Sequence, residues 1–135
     1  MKRILLVEDD PAHTYLIRSA LKEFNGRVTI DAVDNGEEAL ARIKSHPPDL
    51  VILDLNMPGM NGFEFLEAKR KLDKPLRFIP AIVLTTSPLG RDVWASYELG
   101  AAAYIVKPSE YQDIKKVAGC LLGFFRMVQF ANINH

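Results

Sequence analysis

The sequence predicts an α/β domain, a doubly wound parallel sheet of five strands in the order 2-1-3-4-5 with helices on both faces. Three observations predict it. Short apolar runs alternate with amphipathic stretches along the whole chain. The runs are apolar at nearly every position, as strands covered on both faces must be. The length, 135 residues, suits one compact domain with one core.

Strand 1 is expected over 3–7 and runs straight into three acids, Glu8, Asp9 and Asp10. "PAHTYLIRSALKEF" then sets Leu16, Ile17, Ala20, Leu21 and Phe24 at helical spacing, and Asn25-Gly26 turns the chain into strand 2 over 28–32. Asn35-Gly36 opens a second helix with Ala39, Leu40 and Ile43 on its apolar face, and Pro47-Pro48 follows it. Strand 3 spans 50–54, so it carries Asp54 at the end of an otherwise apolar run. Pro58-Gly59 swings the chain into a third helix with Phe63, Phe65, Leu66 and Leu72. Strand 4 is expected over 81–85, and Pro88 and Gly90 precede a fourth helix bearing Trp94 and Tyr97. Strand 5 spans 104–106, and the last helix sets Ile114, Val117, Ala118, Leu121, Phe125 and Val128 on one stripe. No repeat or low-complexity linker interrupts the series, so a single domain over 1–135 is expected, without an output domain.

Composition excludes several functions. Lysine plus arginine and aspartate plus glutamate number 17 each, so there is no basic excess for nucleic acid; "KRKLDK" at 69–74 reads as a solvated helix end. No apolar run is long enough to span a bilayer. The N-terminus meets acids where a signal peptide would have its cleavage site. Neither nucleic acid nor membrane is expected as a partner, and the cytoplasm is the expected compartment. Cys120, the single cysteine, cannot form an internal disulfide and reads as a small buried or half-buried residue. His13, His46 and His135 lack ligand spacing and read as surface residues.

In a doubly wound sheet the ligand crevice lies at the carboxyl ends of the strands, where the strand order reverses. Strand 1 brings Glu8 and Asp9 there, strand 3 Asp54, strand 4 Thr85 and Thr86, and strand 5 Lys107. Asp10, before Pro11, also fits a plain helix N-cap. Three carboxylates at one place repel one another unless a cation joins them. An all-oxygen set of Glu8, Asp9 and Asp54 suits hard Mg²⁺ or Mn²⁺ rather than zinc. With Lys107 as a point charge and Thr85 as a hydroxyl donor, the group looks like a clamp on a phosphoryl group in transfer, a carboxylate serving as nucleophile. "VEDDPAH" would repel a flavin phosphate, and neither G-x-G-x-x-G nor a Walker-type loop is present. Aspartyl phosphatases carry a second Asp two residues after the nucleophile, where this chain has Asn56.

Four stretches, "ILLVEDDP", "VILDLNMPGMNG", "IVLTTS" and "AAAYIVKP", resemble the receiver domain of two-component response regulators, the (βα)5 flavodoxin-like receiver fold, in order and spacing across the chain. The resemblance implies that Asp54 accepts a phosphoryl group from the phosphohistidine of a sensor histidine kinase. It implies Asp9 as a direct Mg²⁺ ligand, Glu8 as a ligand through water, and the Asn56 backbone carbonyl as another. Thr85 would hydrogen-bond the new phosphoryl group, Lys107 would pair with it, and the Thr86 amide would donate to a further oxygen. Tyr104 would be the aromatic switch that turns inward with Thr85, and a cis peptide would precede Pro108. Taken alone, Thr85 reads as a plain strand residue and Tyr104 as core; their placement with Lys107 reverses both readings. Thr86 departs from the family's frequent alanine, which leaves the rate and lifetime of phosphorylation open. "DVWASYELGA", "EDDPAHTYLIRSAL" and "KLDKPLRFIP" are most similar to stand-alone regulators that serve bacterial and cyanobacterial phytochromes. A generic single-domain regulator of another kinase is the alternative.

Without an output domain, such a protein must signal through its surface, by the faces of helix 4, strand 5 and helix 5. Cys120, Phe124 and Met127 form a second apolar stripe on the last helix that the sheet cannot also cover. With Trp94, Tyr97 and Tyr104 they suggest an interface, as in an isologous dimer, unless the helix folds back over the domain. A phosphorylation-independent binding module with the same fold is the rival function.

Overall fold

The computed structural model describes residues 2–24 and 28–127. Five parallel strands form one sheet in the order β2-β1-β3-β4-β5, as the sequence predicts. They are β1 (Lys2–Val7), β2 (Val28–Val33), β3 (Leu50–Leu53), β4 (Ala81–Thr85) and β5 (Ala103–Val106). Between and after them run α1 (Pro11–Phe24), α2 (Gly36–Ser45), α3 (Gly62–Arg70), α4 (Gly90–Glu98) and α5 (Tyr111–Met127). A short 3₁₀ turn, Leu76–Phe78, precedes β4.

Alternation along the central strands divides the core into two layers. Leu5, Val7, Val51, Leu53, Ala81 and Val83 face α2 and α3, where Ile43, Phe65 and Leu66 meet them. Ile4, Leu6, Leu50, Ile52, Ile82 and Leu84 face α1 and α5, against Ile17, Leu21, Ala118, Leu121 and Phe125. Each large side chain so buried contributes about 1.5–3 kcal/mol, and the two layers together hold the central strands rigid.

Local chemistry sets the helix starts. The Asn35 side chain accepts from the Glu38 N–H and caps α2. Asn61 and Glu64 form a reciprocal capping box at the start of α3. Asp10 is the cap its sequence suggests, its Oδ1 accepting from the Ala12 N–H at 2.9 Å.

The sequence differs from the structure in a few places. β3 stops at Leu53, so Asp54 is the first residue beyond the strand, although its N–H still donates to the Val7 carbonyl at 3.0 Å. α3 ends at Arg70, before Leu72. The cis bond among the described residues is Lys74–Pro75, whereas Lys107–Pro108 is trans; the Lys107 N–H extends the ladder to the Thr85 carbonyl at 2.6 Å. Cys120 is exposed rather than buried, because it lies on the side of α5 away from the sheet. Phe24 falls within α1 but its side chain, like Asn25-Gly26, Val128 and His135, lies outside the described residues.

Candidate functional site

The loops that follow β1, β3, β4 and β5 meet at one end of the sheet. Glu8 is held by its N–H donating to the Val33 carbonyl at 3.0 Å, which continues the β1–β2 ladder one residue past β1. Asp54 continues β3 in the same way. Glu8 and Asp54 are buried, at 3% and 7% exposure, while Asp9 is exposed. One carboxylate oxygen from each of the three lies within 4.8 Å of the others.

Lys107, buried at the end of β5, points into this group. Its Nζ donates to Glu8 Oε1 at 2.5 Å and lies 3.8 Å from Asp54 Oδ2. Burial pushes the Glu8 carboxyl up to about 7, against the opposing pull of the Lys107 ammonium. Such a buried pair is costly to form and costlier to break, since removing one partner strands the other charge.

Thr85 is fully buried at the end of β4, and its Oγ1 has no hydrogen-bond partner among the described residues. A buried hydroxyl without a partner is costly and calls for explanation. Here it stands on the strand between β3, which carries Asp54, and β5, which carries Lys107. Thr86 beside it is exposed. Tyr104, half-buried on β5, turns its hydroxyl to the Ser87 carbonyl at 2.8 Å, and its own N–H donates to the Tyr97 hydroxyl at 3.1 Å. The Ser87 hydroxyl in turn donates to Asp92 Oδ2 at 2.5 Å, tying the β4–α4 loop to the first turn of α4. Asn56 is exposed in the β3–α3 loop, with its N–H 3.4 Å from Asp54 Oδ1. Three clustered oxygen donors, two of them buried, fit a hard divalent cation such as Mg²⁺ or Mn²⁺.

The structure thus brings Glu8, Asp9, Asp54 and Lys107 together and sets Thr85 and Tyr104 on adjacent strands beside them. It also adds His13, which the sequence places on the surface. The His13 Nδ1 lies 2.9 Å from Lys107 Nζ and 3.7 Å from Glu8 Oε1. Ser87, the acceptor of the Tyr104 hydroxyl, was equally hidden. For His13 a signal existed: three residues past the cap Asp10, the first turn of α1 overhangs the strand ends.

Apolar side chains stand out on either side of the edge strand β5. Trp94 on α4 is 73% exposed and Met127 on α5 is 88% exposed, and Tyr97, Val106 and Phe124 are about half exposed. No helix among the described residues is long and apolar enough to cross a membrane.

Comparison with known proteins follows the same line. The family model for the response regulator receiver domain matches residues 4–118. The response regulator Rcp1 of Synechocystis sp. is 36% identical over 131 residues, covering 92% of this chain and 88% of that one. The crystal structure of the phosphorylated cyanobacterial phytochrome response regulator RcpA is similar with a TM-score of 0.89 at 31% identity, over 97% of this chain and 99% of that chain. The Mn²⁺-bound form of Rcp1 is similar with a TM-score of 0.88 at 33% identity, over 98% of this chain and all of that one. The sensor histidine kinase GacS of Pseudomonas protegens carries a stretch 34% identical over 117 residues, 85% of this chain but 12% of the kinase.

Proposed function

This chain belongs to the response regulator receiver domain family, and we propose that it is a stand-alone phosphoacceptor switch served by a sensor histidine kinase. The likeness to Rcp1 and RcpA favours a phytochrome as that kinase. Asp54 is the nucleophile. One of its carboxylate oxygens forms a bond to phosphorus as the P–N bond of the kinase phosphohistidine breaks, and the departing imidazole takes up a proton. The Lys107 ammonium and the Thr85 hydroxyl donate to the new phosphoryl oxygens, with the Thr86 amide as a further donor.

Asp9, Asp54, the Asn56 carbonyl and, through water, Glu8 would hold Mg²⁺ or Mn²⁺. A bound divalent cation supplies positive charge against the phosphoryl oxygens. The observation that carries this reading is the buried Lys107 ammonium set between Glu8 and Asp54, with the Thr85 hydroxyl on the neighbouring strand lacking a partner among the described residues. Thr85 gains a partner once a phosphoryl oxygen arrives, and the Tyr104–Ser87 contact then moves with the β4–α4 loop. That change is read on the surface of α4, β5 and α5, where Trp94, Tyr97, Tyr104, Cys120, Phe124 and Met127 form the face on which two copies meet.

Incubation with Mg²⁺ and acetyl phosphate tests the reading. The wild type acquires an acid-stable, base-labile phosphoryl adduct, and Asp54→Asn acquires none. A wild type that takes no label sinks the proposal and leaves a phosphorylation-independent binding module as the function. Sedimentation at tens of micromolar, with and without phosphodonor, tests the dimer; a monomer under both conditions removes it.

A further inference from the structure

Lys107 is held by more than carboxylates. Its ammonium carries three N–H donors and no acceptor. One donor goes to Glu8 Oε1 at 2.5 Å. A second neighbour is His13 Nδ1 at 2.9 Å. Asp54 Oδ2, at 3.8 Å, is beyond hydrogen-bond reach. Because the ammonium can only donate, the ring nitrogen at this distance is the acceptor, and the imidazole proton sits on Nε2.

His13 is well placed to hold that position. It lies in the first turn of α1, and its backbone N–H is 3.4 Å from the Asp10 cap oxygen Oδ1. Its side chain is 34% exposed, so Nε2 has a route to solvent while Nδ1 stays 3.7 Å from both Glu8 Oε1 and Asp10 Oδ2.

We propose that His13 is a positioning residue for phosphoryl transfer: with Glu8 it fixes the rotation of the Lys107 ammonium. With the Cε–Nζ bond in place, the two partners hold the torsion from two sides, and the remaining N–H follows. That third N–H then faces the Asp54 side of the crevice, where the gap of 3.8 Å leaves room for an arriving phosphoryl oxygen. The orientation exists before the donor binds, so it is not reorganised during transfer. Without the imidazole, the bond to Glu8 alone resists turning about the Cε–Nζ bond. The role rests on the reading of Asp54 as the phosphoacceptor.

The test compares wild type, His13→Ala, His13→Asn and the surface control His46→Ala, each checked for an unchanged melting temperature. With Mg²⁺ and acetyl phosphate, His13→Ala is labelled about 3- to 10-fold more slowly, the effect of one hydrogen bond lost from alignment. His13→Asn, which returns an acceptor oxygen near the Nδ1 position, recovers to within about twofold, and His46→Ala matches wild type. The second measurement uses metal-free protein without phosphodonor. Imidazole ¹⁵N shifts show His13 protonated on Nε2. The slowly exchanging Lys107 ammonium signal is present in wild type and His13→Asn and lost in His13→Ala. A proton on Nδ1, or a His13→Ala variant labelled at the wild-type rate, overturns the positioning role alone. A wild type that takes no label refutes the phosphoacceptor reading and the positioning role with it.

Discussion

Gly62 opens α3 where the helix start presses on the loop that carries Asp54. A Cβ at this position would lie 2.7 Å from the Leu55 Cα, 2.8 Å from the Asp54 carbonyl oxygen and 3.0 Å from Leu55 Cδ2. Carbon atoms rest at about 3.5–4.0 Å, so the helix start would have to retreat by roughly 0.8 Å. The Gly62 N–H, which donates to the Leu55 carbonyl at 3.0 Å, opposes that retreat. Forcing a methyl group into packed space costs about 1–3 kcal/mol. Replacing a helical glycine by alanine returns about 0.5–1 kcal/mol. The nearest atoms are backbone, which puts the cost at its upper end, about 2–3 kcal/mol, so Gly62→Ala loses about 1–2.5 kcal/mol, a fall in Tm of about 3–10 °C for a domain of this size. Gly123, within α5, is the internal control, since a Cβ there meets nothing within 4 Å. Gly123→Ala should gain about 0.5–1 kcal/mol and melt a few degrees higher. Thermal and urea unfolding followed by circular dichroism measure both. Because the clashing atoms belong to Asp54 and Leu55, Gly62→Ala should also slow labelling by acetyl phosphate, and Gly123→Ala should not. Equal shifts of the same sign, or a Gly62→Ala variant as stable as the parent, would refute the argument from close approach.

Lys69 is buried at 6% exposure with its Nζ donating to the Arg77 carbonyl at 3.1 Å, and burial pulls its ammonium down to about 8. From there to its ordinary value of 10.5 the unfolded chain binds more protons, so folding stability rises with pH. Relative to Lys69→Met, wild type should gain up to ~3 kcal/mol across that window, read from urea midpoints, and a constant gap would contradict this. Tyr104→Phe removes the bond to the Ser87 carbonyl, costs about 0.5–1.5 kcal/mol, and should speed amide exchange in the β4–α4 loop. Mg²⁺ at about five times its Kd should stabilise wild type by ~1 kcal/mol, and chelation or Asp9→Asn should abolish the gain.

The fold was legible because its signals are redundant. Apolar strands such as "LVIL" in β3 and helix caps such as Asn35 and Asn61 all point to one topology. The acidic pair Glu8 and Asp54 was legible for a different reason: carboxylates at the ends of buried strands have no packing role there. What escaped depends on rotamers rather than patterns. The distance of His13 from the cap Asp10 sets it over the strand ends, but only the direction of its side chain brings Nδ1 to 2.9 Å from Lys107. Cys120 stands exposed on the α5 stripe that the sheet leaves uncovered, as its spacing with Phe124 and Met127 predicts; what failed was the reading from residue type alone, by which a small apolar side chain is buried. The cis bond at Lys74–Pro75, in place of the one expected before Pro108, carried no local signal that separates one X-Pro pair from another.

The buried ion pair has a consequence for how the protein comes into being. Glu8 and Lys107 stand 99 residues apart in sequence. On a ribosome, the first acid emerges long before the ammonium that neutralises it, and β1 needs β3 on its other side before Glu8 can be enclosed. Contacts of such long range form late, after their loop entropy has been met. A nascent or truncated chain that stops short of β5 has carboxylates but no counter-charge among them. The set of acids around one ammonium is therefore complete only when β5 has joined the sheet.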